Sequence, residues 1–103
     1  MGSEGRGTKE ITLKSAVAIS EDAVFKELNG EAVILNLESG TYFGLNAVGT
    51  RVWVLLQEHA PLDEVFKTLC QEFEVAPEVL KHDLVELVEQ LRTKGLVNVT
   101  AAE

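Results

Sequence analysis

The chain predicts an α+β domain, an antiparallel β-meander of three strands followed by three helices. Three observations carry this. Asn29-Gly30 and Glu38-Ser39-Gly40 divide the first half into short apolar runs. Helical spacing of apolar residues begins near Ala47 and persists to Leu91. The composition, 46 % apolar and 25 % charged, is that of a globular chain. With 103 residues, one domain is the natural count. It is expected over residues 16–100, behind a flexible N-terminal tail of residues 1–15. The tail's "MGSEGRGTKE" has no apolar signal-peptide segment.

The strands follow in order. "AVAI" (16–19) is a candidate extra strand. "VFKEL" (24–28) and "EAVILNL" (31–37) flank Asn29-Gly30, whose two residues suit a type I′ hairpin turn. That turn pairs Leu28 with Glu31, Lys26 with Val33 and Val24 with Leu35. Glu38-Ser39-Gly40 reads as a three-residue turn into "TYFGL" (41–45). It pairs Leu37 with Thr41, Leu35 with Phe43 and Val33 with Leu45. By strand alternation, Val24, Leu28, Val33, Leu35, Leu37, Phe43 and Leu45 share the face expected to lie on the helices. Phe25, Glu27, Ala32, Ile34, Asn36, Tyr42 and Gly44 take the other, partly covered by Val17 and Ile19.

The helices carry their own boundary signals. Asn46 is placed to cap "AVGTRVWVLLQEH" (47–59), with Val48, Val52, Leu55 and Leu56 on one stripe. Pro61, Asp63 and Glu64 suit the first turn of a second helix, with Leu62, Val65, Phe66, Leu69, Cys70 and Phe73 as its stripe. Pro77 and Glu78 open a third, whose stripe is Leu80, Leu84, Leu87, Val88 and Leu91. Lys94-Gly95 closes it as a cationic last turn followed by a C′ glycine. "LVNV" (96–99) suits a final short strand.

Composition narrows the function. Nine basic against seventeen acidic residues give a net charge of −8. Such a surface repels phosphate backbones and anionic lipid. No run of apolar residues is long enough to span a membrane. Cys70 is the one cysteine, which fits a reducing, cytoplasmic compartment. It lies between Phe66 and Phe73 on an apolar stripe, as a small hydrophobe would. His59 and His82 are far apart in sequence and have no neighbour at metal-ligand spacing, so they read as ordinary surface or boundary residues. Gly44 and Gly49 flank a helix start without the spacing of a phosphate cradle. Trp53 reads as core or boundary. Arg51 and Asp83 stand out among the charges: each is either a solvated or locally paired residue, or, for Asp83, a polar anchor for a bound peptide.

The strand "TYFGL" has no charge and no proline, the usual guards of a sheet edge. As the last strand of a meander it has one free side. Two readings stand: the chain's own termini cover that side, or a partner peptide adds to it as a further strand.

"GTYFGLNAVGTRVWVLL", "LDEVFKTLCQEFEV" and "DLVELVEQLRTKGLV" together resemble the PqqD-like family, the pyrroloquinoline quinone (PQQ) biosynthesis protein D relatives. The likeness covers residues 24–99. It rests on Tyr42-Phe43, Leu45-Asn46, Gly49, Trp53, Leu55-Leu56, Asp83 and Gly95-Leu96 in combination. The resemblance implies a small winged-helix-like domain without catalytic activity and with no cofactor or metal. It implies a recognition element for ribosomally made, post-translationally modified peptides. Such a domain binds the leader segment of a precursor peptide along the third strand and against the third helix. It presents the precursor to a modifying enzyme such as a radical SAM protein, a cyclase or a protease. The groove so implied has Thr41, Tyr42, Phe43, Gly44 and Leu45 as its strand wall and Leu80, Asp83, Leu84 and Leu87 on its helix wall.

Two alternatives come from other classes. A winged helix can read DNA, yet the third helix offers Lys81, Arg92 and Lys94 against Glu78, Asp83, Glu86 and Glu89. With the chain at −8, no nucleic acid partner is expected. Self-association, two edges pairing into a dimer, is the other; the expected state is a monomer or weak dimer.

Overall fold

The computed structural model describes residues 11–29 and 31–100. The elements run β1 (Ala16–Ile19), β2 (Ala23–Leu28), β3 (Glu31–Asn36), β4 (Tyr42–Leu45), α1 (Ala47–Gln57), α2 (Leu62–Glu72), α3 (Pro77–Thr93) and β5 (Val97–Thr100). The expected α+β order, a three-stranded meander and then three helices, is present. The two outlying segments both form strands, and they pair with each other. β1 and β5 make a separate antiparallel two-stranded sheet, with Ala16 opposite Thr100 and Ile19 opposite Val97. Upstream of β1, Ile11 is buried and Leu13 packs against the same cluster, so the core reaches into the expected tail. Residues 1–10 lie outside the described residues.

The first hairpin has the register its turn dictates. Leu28 pairs with Glu31, Lys26 with Val33 and Val24 with Leu35. Asn29 has φ 54°, as the first central position of a type I′ turn requires; Gly30 is outside the described residues.

The second hairpin differs from expectation by one residue. Ile34 pairs with Phe43, Leu35 with Tyr42 and Val33 with Gly44. The cause is Asn36. Its side-chain Oδ1 accepts the N–H groups of Glu38 (2.9 Å) and Ser39 (3.3 Å). Its carbonyl accepts the N–H of Gly40 (2.8 Å), where φ is +78°. This Asx-type turn draws Leu37 into the loop, and the next ladder bond runs from the Asn36 N–H to the Thr41 carbonyl (2.8 Å).

The shift reverses the face assignment of β2 and β3. Ile34 (0 % exposed), Ala32 and Asn36 (5 %) are buried, in line with Phe25, Phe43 and Leu45. Leu28 and Leu37 (60 %), expected on the helices, are exposed. A continuous apolar run such as Ala32–Leu35 leaves the face undecided, and the three-residue turn that paired Leu37 with Thr41 decided it the wrong way. Val17 and Ile19 do pack with Ile34, as expected.

Two apolar clusters fill the interior. One holds Ile34, Trp53, Leu91, Leu96 and Val97 between the sheets and the helices. The other joins the helices through residues such as Val52, Leu56, Leu62, Val65, Leu69, Leu84 and Val88. Each side chain of this size contributes about 1.5–3 kcal/mol by burial. Trp53 is therefore core, and Cys70 is a half-buried free thiol packed on the second cluster.

The helix ends follow local chemistry. Asn46 Oδ1 accepts the Gly49 N–H (2.8 Å) and caps α1. Pro61 is the N-cap of α2 and Pro77 the first residue of α3. α1 and α3 end alike. Leu96 N–H reaches the Leu91 carbonyl and Gly95 N–H that of Arg92; Ala60 and His59 repeat the pattern on Leu55 and Leu56. Both are Schellman motifs. Gly95 takes the left-handed position with φ +74°, and in α1 His59 does so with φ 65°.

Candidate functional site: a groove between β4 and α3

β4 is an edge strand, since the sheet order is β2-β3-β4. Among the described residues no strand lies on its free side, because β1 and β5 are occupied with each other. The Asn36–Thr41 bond sets the phase of the ladder. Bonded positions alternate along an antiparallel pair. Phe43 therefore bonds toward β3, while Tyr42 and Gly44 turn their N–H and C=O groups to the open side. Each of the two offers one donor and one acceptor. A Cβ built on Gly44 meets nothing within 4 Å, so this part of the edge is sterically open.

Beside the edge lies a groove. Its strand wall is Phe43, Gly44 and Leu45; Asn46, Val48, Gly49 and Val52 form its floor from the start of α1. Leu80, Asp83, Leu84, Glu86, Leu87 and Gln90 of α3 form the far wall, and Val75 closes one end from the α2–α3 connection. Leu80 and Leu84 are buried and shared with the core, whereas Leu87 is half-buried. Gly49 is needed where α1 meets the strand: a Cβ there stands 3.1 Å from Leu45 Cδ2.

The structure thus brings together Phe43, Gly44, Leu45, Leu80, Asp83, Leu84 and Leu87 from the sequence-predicted set. Thr41 and Tyr42 lie outside the groove. Thr41 is held in the turn by Ser39, with 2.8 Å between the two hydroxyl oxygens. The Tyr42 side chain is 71 % exposed on the outer face of the sheet, in line with Leu35. Only its main chain faces the open edge. Sequence reasoning missed Glu86 and Gln90, although Asp83, Leu87 and Gln90 stand at helical i, i+4, i+7 spacing. It also missed Val75, which no periodic pattern marks.

The charges sort clearly. Arg51 donates to both carboxylate oxygens of Glu72 (2.8 and 2.9 Å), tying α1 to α2. This hydrogen bond holds the Glu72 carboxyl below the usual carboxylate range and raises the Arg51 guanidinium. His82, Asp83 and Glu86 bring ligand-type atoms within 4.8 Å of one another, a neighbourhood the sequence spacing of the histidines did not suggest. All three are exposed, so they form a charged rim rather than an enclosed metal site. No helix among the described residues is long and apolar enough to cross a membrane.

Comparison with known proteins places this geometry. A solved complex of TbiB1 with the TbiA(beta) leader peptide is 37 % identical, with a TM-score of 0.73 over 79 % of this chain and 94 % of that one. A lasso peptide synthetase B1 complexed with the leader peptide is 26 % identical, with a TM-score of 0.68 over 81 % of this chain and 98 % of that one. None of the curated proteins compared matches the chain. The model of the PqqD family, coenzyme PQQ synthesis protein D, matches residues 31–97, and with most of its fold so covered the chain belongs to the PqqD family.

Proposed function

We propose that the protein is a leader-peptide recognition domain. It captures the leader segment of a ribosomally made precursor by strand addition to β4 and presents the precursor to a modifying enzyme. The observation that carries this is the open, uncharged β4 edge beside an apolar groove. Both solved relatives, each a complex with a leader peptide, support it.

In this reading Tyr42 and Gly44 contribute main-chain hydrogen bonds, each adding about 0.5–1.5 kcal/mol. Thr41 marks the start of the accepting strand. Phe43, Leu45, Leu80, Leu84 and Leu87 take the alternate side chains of the leader, and Asp83 offers a polar anchor at their margin. The domain does no chemistry of its own. A radical SAM protein, a cyclase or a protease acts on the captured precursor in the cytoplasm.

The test is an amide chemical-shift titration of the labelled domain with a synthetic leader segment of the precursor encoded beside it. Saturable shifts at residues 41–46 and 80–91 are expected. Saturable binding that leaves both segments unshifted overturns the assignment.

A further inference from the structure

We propose that the α3 rim of the groove selects leader segments carrying a lysine or arginine two residues from an apolar anchor. This rests on the leader-binding reading above and adds the chemistry of the peptide to it.

The charged side chains lining the groove are Asp83 and Glu86, and both are acidic. Asp83 has no ion-pair or hydrogen-bond partner among the described residues. Glu86 meets only the exposed imidazole of His82, 3.9 Å away. Arg51 does not line the groove, and its guanidinium is held on Glu72. The same α3 wall carries the half-buried Leu87 and the buried Leu84. An apolar groove with an acidic margin suits a long cationic side chain: its methylene stem lies against Leu87 and its head reaches the carboxylates. A carboxylate-bearing side chain in the same place meets like charge, on a protein already at −8.

Geometry fixes the spacing. Side chains on one face of an added strand recur every second residue, about 6.6–6.8 Å apart. From Leu80 to Leu87 the helix rises about 10.5 Å, with Asp83 about 4.5 Å and Glu86 about 9 Å along it. Two or three inward-facing peptide side chains therefore meet this wall. One that fills the apolar floor places its neighbour, two residues away, at the rim.

A display selection tests this without knowledge of the natural precursor. A library of random 12-residue peptides is panned against the full chain and against the exposed-site variant Asp83→Asn/Glu86→Gln. The wild type is expected to enrich apolar residues at alternate positions with Lys or Arg two residues from one of them. In an enriched peptide, replacing that residue with Gln weakens binding to the wild type about two- to fivefold. The same replacement has little effect on binding to the variant, and added salt narrows the wild-type difference. Asp83→Lys/Glu86→Lys reverses the preference toward Glu. Alternating apolar peptides with no basic preference, or the same preference in wild type and variant, overturn the rim inference and leave the groove standing. Failure to enrich any alternating apolar motif overturns both.

Discussion

At position 36 one amide side chain joins the two walls of the groove. Asn36 Nδ2 donates to the carbonyl of Lys94 at the end of α3 (2.9 Å), while its Oδ1 holds the turn that leads into β4. Asn36→Ala removes these part-buried hydrogen bonds together, at a cost of about 1–3 kcal/mol. Chemical denaturation is expected to show this loss. The two helix ends make a matched pair of tests. Gly95→Ala puts a Cβ 3.0 Å from Asn36 Nδ2 at a φ of +74°, and about 1–2 kcal/mol of stability is lost. His59→Gly relieves the same left-handed strain at φ 65° in α1 and stabilises by up to about 1 kcal/mol in the same assay. The glycine was legible as a C′ residue from Lys94-Gly95 alone. The histidine was not, since its role is set by where α1 stops rather than by its own chemistry.

At the level of elements, β4 separates pairing within the domain from pairing with a guest. The Gly44 N–H points to the open side, so Gly44→Pro leaves the β3–β4 ladder in place and blocks one donor of the edge. Phe43→Pro removes a bond to β3 instead. Calorimetry is expected to show a folded Gly44→Pro protein with at least about tenfold weaker leader binding, and a destabilised Phe43→Pro protein. On α3, Leu87 is half-buried and Leu84 fully buried. Leu87→Ala therefore weakens leader binding with a small stability loss, whereas Leu84→Ala costs about 2–5 kcal/mol of folding. The helices were readable from caps and stripes because a period of 3.6 leaves little choice of face. The β3–β4 register was not, because Val33, Ile34 and Leu35 are all apolar and one residue of loop length inverts the sheet. Phe43 and Leu45 still take the inner face, since their parity was unaffected by the slip.

At the level of the whole molecule, three helices are bound mainly by apolar contact, with Arg51–Glu72 as a polar tie between α1 and α2. The folded-state pKa of Glu72 is lowered by its hydrogen bond to Arg51. Its contribution is thus present above the ordinary carboxylate range and lost as pH falls through the lowered value. Glu72→Gln is expected to lower the melting temperature at pH 7, with the difference from wild type closing in strong acid. The charge excess and the order of elements were plain in the sequence; the pairing of β1 with β5 was not, because even their nearest partners, Ile19 and Val97, are 78 positions apart. That pairing has a mechanical consequence. Ala16 lies beside Thr100, and neither strand lines the groove. A polypeptide joined beyond Thr100 is therefore expected to leave the mouth of the β4–α3 groove unobstructed.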